Sequence, residues 1–130
     1  IAAPLLNDGR LKQLADEVIQ PFYRQQAQTA VSLLKRELGA YPLKIHKPEG
    51  AIFLWLWVEN LPVSSQTLYE MLKAEGTLII PGEHFFVGID TQDYPHAHEC
   101  VRMSIAQEAE TLEKGIAAIG RVVRGLYDKK

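Results

Sequence analysis

A two-layer α+β sandwich is the fold class the sequence predicts: a small, mostly antiparallel or mixed sheet with helices on one face, preceded by a long kinked connector helix. Three observations predict it. Apolar residues recur at helical spacing near both ends of the chain, a continuous apolar run fills Ala51 to Val58, and a short alternating strand carries an arginine at position 102. The order helix, strand, helix, strand, strand, helix places residues 1–40 in the connector region and 41–130 in the sandwich, as one structural domain overall.

From about Asp8 to Leu38 the helical stripe runs through Leu11, Leu14, Ala15, Val18, Ile19 and Phe22, then Ala27, Val31, Leu34 and Leu38. Pro21 lacks an amide hydrogen and clashes with the preceding turn, so it is expected to kink or divide the segment, and Gly39 is a candidate C-cap. Ala51 to Val58 reads as a strand buried on both faces. Ile52, Leu54, Leu56 and Val58 are expected to pack on the helices, leaving Phe53, Trp55 and Trp57 on a face that a chain of 130 residues has little left to cover. Ser64 or Ser65 caps a helix to about Glu75 with Leu68, Met71 and Leu72 as its stripe, and Gly76 ends it. Thr77 to Ile80 follows as a short strand. Pro81-Gly82 opens a loop, and Tyr94 to His98 form a second irregular stretch. The last helix spans about Gln107 to Leu126, with a stripe of Leu112, Ile116, Ile119, Val123 and Leu126. Its acidic residues lie near its N-terminus and Arg121 and Arg124 near its C-terminus, as the helix dipole favours.

Composition narrows the function classes. Apolar content of 47% and charged content of 23% are those of an ordinary folded domain, with no sign of disorder. A net charge of −2 without a basic stripe argues against nucleic acid or an anionic membrane as partner, and no apolar run is long enough to span a bilayer. One cysteine precludes an internal disulfide framework, and the cytoplasm is the default compartment. Because the chain begins at Ile1 rather than Met, a processed product or a piece of something longer is expected.

Arg102 sits in Cys100-Val101-Arg102-Met103-Ser104-Ile105, where alternation puts Val101, Met103 and Ile105 on one face and Cys100, Arg102 and Ser104 on the other. A guanidinium stays charged and is costly to bury unpaired. Two readings stand at this point: a structural ion pair with a carboxylate of the chain, or a receptor for an anionic ligand.

Further patterns surround this arginine. His46-Lys47-Pro48-Glu49-Gly50-Ala51-Ile52-Phe53-Leu54-Trp55-Leu56-Trp57, then Pro81-Gly82-x-His84-Phe85-Phe86, then His96-x-His98-x-Cys100-x-Arg102-Met103, occur in that order over nearly the whole chain. Each motif alone is weak, but the ordered set is specific. It resembles the C-terminal small domain of the class I, fold-type I aminotransferases dependent on pyridoxal phosphate, most nearly their valine–pyruvate branch. The resemblance implies that the residue matching Arg102 binds the α-carboxylate of the amino acid or 2-oxo acid, since a planar bidentate fork fixes charge and orientation together. It implies that Phe85 lies near the substrate mouth, where it is either a wall for an aliphatic side chain or plain core. Gly50 would allow close backbone approach at the strand start, and Gly82 a backbone shape or contact that other residues resist.

The resemblance also implies a parent enzyme that moves an amino group between alanine or pyruvate and valine or 3-methyl-2-oxobutanoate in amino acid biosynthesis. That parent is expected to hold pyridoxal phosphate in a large domain absent here and to work as a homodimer. No lysine of this chain sits in the small-residue surroundings of a Schiff-base lysine, and no glycine-rich phosphate loop is present. The chain alone is therefore expected to supply no catalytic or cofactor-binding residue. Two other readings stand beside this one. His96, His98 and Cys100, with His84, alternate as though on one strand face and raise a metal site, but their spacing is not that of a common zinc motif. A non-catalytic interaction or ligand-sensing module would explain the aromatic face of Phe53, Trp55 and Trp57 but leave the Pro-Gly and arginine motifs to coincidence.

Overall fold

The computed structural model describes residues 7–129. Its helical lead-in comprises α1 (Arg10–Leu14), a π-helical turn over Ala15–Ile19, and α2 (Gln20–Leu38). The expected effect of Pro21 takes an instructive form. Leu14, Ile19 and Gln20 keep right-handed helical dihedrals, so the rod is not broken; the wider π turn lies immediately before Pro21, where the ring supplies no amide hydrogen. The two halves of this rod have different surroundings. Ala27, Ala30, Leu34 and Leu38 are buried in the core, whereas Leu11, Leu14, Val18, Ile19 and Phe22 are exposed.

The sheet has four antiparallel strands in the order β1-β2-β4-β3: β1 is Leu43–Ile45, β2 Phe53–Val58, β3 Ile80–Pro81 and β4 Cys100–Ser104. Between them stand α3 (Ser65–Ala74), a 3-10 turn (Gly82–Phe85) and α4 (Pro95–Glu99), and α5 (Ala109–Tyr127) closes the domain. Helix α3 starts where the capping residue predicts, the Ser64 hydroxyl accepting the amide hydrogen of Thr67 at 3.1 Å, and Gly76 follows its end at φ +76°. Along α5, Leu112, Ile116, Ile119 and Val123 are buried against α2 and α3. Arg124 ties α5 to α2 by reaching the Glu37 carboxylate at 2.8 Å, and that guanidinium holds the Glu37 carboxyl below its ordinary range.

Leu54, Leu56 and Val58 turn into the core between sheet and helices, together with Val101 and Met103 of β4. Ile52 does not join them, contrary to expectation. It precedes the strand and is 36% exposed, its contribution being a carbonyl that accepts the Ile105 amide hydrogen at 2.9 Å. Two further corrections concern short elements. The strand expected over Thr77 to Ile80 is paired only at Ile80 and Pro81, an edge position that tolerates a residue without an amide hydrogen. The stretch expected to be irregular at Tyr94 to His98 contains α4, which Pro95 starts with its preset φ at the first turn.

The outer face of the sheet is not bare. Residues 82–99 fold back over it, so that Phe85 meets Trp55 edge-on at 5.4 Å between ring centroids and His96 meets Trp57 at 4.6 Å. Phe53, at the start of β2, stays 37% exposed.

Candidate carboxylate site

Register builds the site. Trp55 and Ile80 flank Arg102 directly across β4, and Phe53 faces Ser104, so these side chains share the outer face with the arginine. Among the described residues no carboxylate lies within 4.0 Å of the Arg102 guanidinium. The guanidinium instead lies over two aromatic rings, 4.0 Å from the centroid of Phe53 and 4.7 Å from that of Phe85. Its Nε is buried and has no hydrogen-bond partner. Of the two readings the sequence leaves open for this residue, a structural ion pair has no partner among the described residues.

Arg102 lies between two clefts. The smaller, about 300 Å³, is bounded by His46, Glu49, Gly50, Phe53 and Trp55, and the larger, about 640 Å³, by Tyr69, Ile79, His84, Ser104 and Gln107; Arg102 lines both. Gly50 therefore stands at the same cleft as Arg102, and a methyl group at its position would meet no atom within 4 Å. Ala51, next to it, has φ +63°, a left-handed conformation that costs a residue with a side chain. Phe85 is 42% exposed, so it is not core, and its contacts are with Arg102 and Trp55. Ser104 accepts the Ala106 amide hydrogen at 3.1 Å and so closes the turn after its own strand.

The histidines do not assemble on one face. Being helical, α4 sends His96 toward Trp57 and Cys100, whose Sγ lies 3.5 Å from its Nε2, while His98 lies 2.9 Å from Glu83 through Nδ1 and 2.8 Å from the Thr91 carbonyl oxygen through Nε2. Among the described residues no three His, Cys, Asp or Glu side chains converge as metal ligands. His98 thus staples the 3-10 turn to the loop after it, and His84 lines the larger cleft. Glu99 is the structural residue that sequence reasoning missed. Its carboxylate accepts the Trp57 indole hydrogen at 2.8 Å and the Asn60 amide hydrogen at 3.0 Å, fixing the end of β2; no local pattern signals a contact across 42 residues.

Burial pushes the Cys100 thiol up to about 11, which removes thiolate at neutral pH. Alkylation by iodoacetamide at pH 8 is expected to be at least about a hundredfold slower in the folded protein than after denaturation, where about a quarter of a free thiol near 8.5 is thiolate. Equal rates would mean that the pocket of Cys100 is open to reagent.

No protein-family model matches the chain. Valine–pyruvate aminotransferase of Escherichia coli (strain K12) is 43% identical over 119 residues, 92% of this chain and 28% of that protein. The crystal structure of a protein of Psychrobacter arcticum 273-4, provisionally assigned as an amino-acid aminotransferase, superposes with a TM-score of 0.96 at 63% identity, over 99% of this chain and 30% of its own. Valine–pyruvate aminotransferase of Salmonella typhimurium LT2 gives 0.89 at 38% identity, over 98% and 32%. The chain thus spans about three tenths of the length of the relatives it matches.

Aminotransferases work with pyridoxal phosphate, and the residues described here do not fit that group. Every described lysine is exposed; Lys47, beside the smaller cleft, has a side chain 82% exposed and paired with Glu49 at 2.7 Å. A lysine that condenses with an aldehyde attacks as the neutral amine, which surroundings withdrawn from water favour, and none of the described lysines has such surroundings. Sequence and fold agree over nearly the whole chain, and it belongs to the fold-type I aminotransferases, whose C-terminal domain it represents.

Proposed function

We propose that this domain receives the α-carboxylate of an amino acid or 2-oxo acid, through Arg102, in a parent transaminase that exchanges amino groups between alanine or pyruvate and valine or 3-methyl-2-oxobutanoate. The observation that carries the reading is the Arg102 guanidinium, without a carboxylate partner among the described residues and lining two clefts. A carboxylate set against it would gain the charge-assisted hydrogen bonds that the protein leaves unmade. The names of the two valine–pyruvate relatives, at 43% and 38% identity, favour that substrate pair over other amino acids. An outer face of Phe53, Trp55, Phe85 and Ile80 around the cation suits an aliphatic side chain better than a second acidic group.

In this reading residues 41–130 form the carboxylate-binding domain and residues 1–40 the connector to the part of the parent that holds pyridoxal phosphate, which supplies the electron sink for amino transfer. The chain by itself is inactive, and the parent is a cytoplasmic homodimer. The full-length parent, given L-alanine and 3-methyl-2-oxobutanoate, is expected to form pyruvate and valine in equal amounts, with aspartate a poor donor. Inactivity across amino donors would overturn the reading in favour of an interaction module.

A further inference from the structure

We infer that Phe53 and Phe85 are positioning residues for Arg102: two aromatic faces that stabilise and orient its guanidinium in place of a carboxylate counter-ion. The inference rests on the reading of Arg102 as the carboxylate receptor, and it adds how a free, half-buried cation is kept in place. A protein commonly pairs such an arginine with Asp or Glu, but that partner would take up the N–H donors that a substrate carboxylate needs and would repel the substrate's charge. An aromatic face attracts the cation through its quadrupole and takes up no charge-assisted bond. The centroids of Phe53 and Phe85 lie 4.0 and 4.7 Å from the guanidinium carbon, well within range of this attraction.

The rings come from separate elements, a strand and a 3-10 turn. Phe53 begins β2, in register with Ser104 and two residues from Trp55, the neighbour of Arg102 across the ladder. Phe85 ends the 3-10 turn after Pro81 and rests edge-on against Trp55 at 5.4 Å. Contacts from two elements restrict the rotatable bonds of a long side chain before any ligand arrives, which lowers the entropy that binding must remove. Neither ring belongs to the core, Phe53 being 37% and Phe85 42% exposed, so neither is needed to fill a buried volume. A wall role for Phe85 predicts sensitivity to the substrate's side chain; a positioning role predicts sensitivity to its carboxylate.

The test uses the full-length parent with its cofactor and takes acetate as probe, an acid with the carboxylate but no branched chain and no amino or keto group to react, so that a wall for the side chain would not register. Phe53→Leu and Phe85→Leu are each expected to raise its inhibition constant about tenfold, with KM for amino acid and 2-oxo acid rising alike and kcat changing less. Phe53→Tyr, which keeps an aromatic face, is expected to stay within about twofold of the native enzyme. A merely structural role would lower thermal stability and cofactor occupancy without this split or this rescue. The inference is overturned if both leucine variants hold the native inhibition constant while Arg102→Leu loses it. Should Arg102→Leu also bind the probe normally, the carboxylate reading itself falls, and the inference with it.

Discussion

Replacing Arg102 by leucine in the full-length parent is expected to lower kcat/KM for alanine and for 3-methyl-2-oxobutanoate by about two to four orders of magnitude. The size follows from the bonds at stake: two charge-assisted hydrogen bonds contribute about 3–6 kcal/mol together. Because the carboxylate is held in both ground and transition states, KM carries much of the loss; because the same fork orients the reacting carbon, kcat falls as well. Arg102→Lys separates charge from geometry. It keeps the cation but not the planar fork, and roughly a tenfold to hundredfold loss is expected. Cofactor occupancy, read from the absorbance of the bound pyridoxal, should match the native enzyme in both variants. Steady-state rates of Arg102→Leu within about threefold of native would sink the assignment, whatever the resemblance to other aminotransferases.

What made this site readable in the sequence was strand alternation. Val101 and Met103 had to point one way, so Arg102 pointed the other, and the structure places it on the outer face with the register Trp55, Arg102, Ile80. The same period sorted Leu54, Leu56 and Val58 into the core, and the 3.6-residue period did so for Leu112, Ile116, Ile119 and Val123. Elements shorter than a period escape this logic. β1 has three residues and α4 five, too few to show a repeat, and α4 is what turned His96 and His98 away from the common face that alternation suggested. Ile52 failed for a related reason: the apolar run begins before the strand does, and composition alone does not mark where pairing starts. The aromatic surroundings of Arg102 lay further out of reach. Phe85 comes to it only because residues 82–99 fold back across the sheet, and the contacts that hold them there, Glu83 to His98 and Glu99 to Trp57, join residues 15 and 42 apart.

That fold-back turns on Gly82, and Gly82→Ala is expected to destabilise the domain by about 1–3 kcal/mol, seen as a fall of several degrees in the melting temperature. A methyl group there would sit 2.7 Å from the Cys100 carbonyl oxygen, 2.8 Å from the Cys100 Cβ and 2.9 Å from the Ala97 carbonyl oxygen. None of these is the end of a flexible side chain. Two are backbone atoms of α4 and β4, so relief requires the 3-10 turn to move outward or the α4–β4 junction to move in. An outward movement carries Phe85 away from Arg102, so the variant should also raise KM for the amino acid, coupling stability to the site. Gly50→Ala provides the contrast. No atom lies within 4 Å of the added methyl group, and the melting temperature should stay within about 1 °C of native. If KM nevertheless rises in Gly50→Ala, the space in front of Gly50 is used by the ligand rather than by the fold. If Gly82→Ala melts as the native protein does, the packing of the 3-10 turn on α4 and β4 is looser than these distances require, and the path by which Phe85 reaches Arg102 would have to be sought in the His98 staple instead.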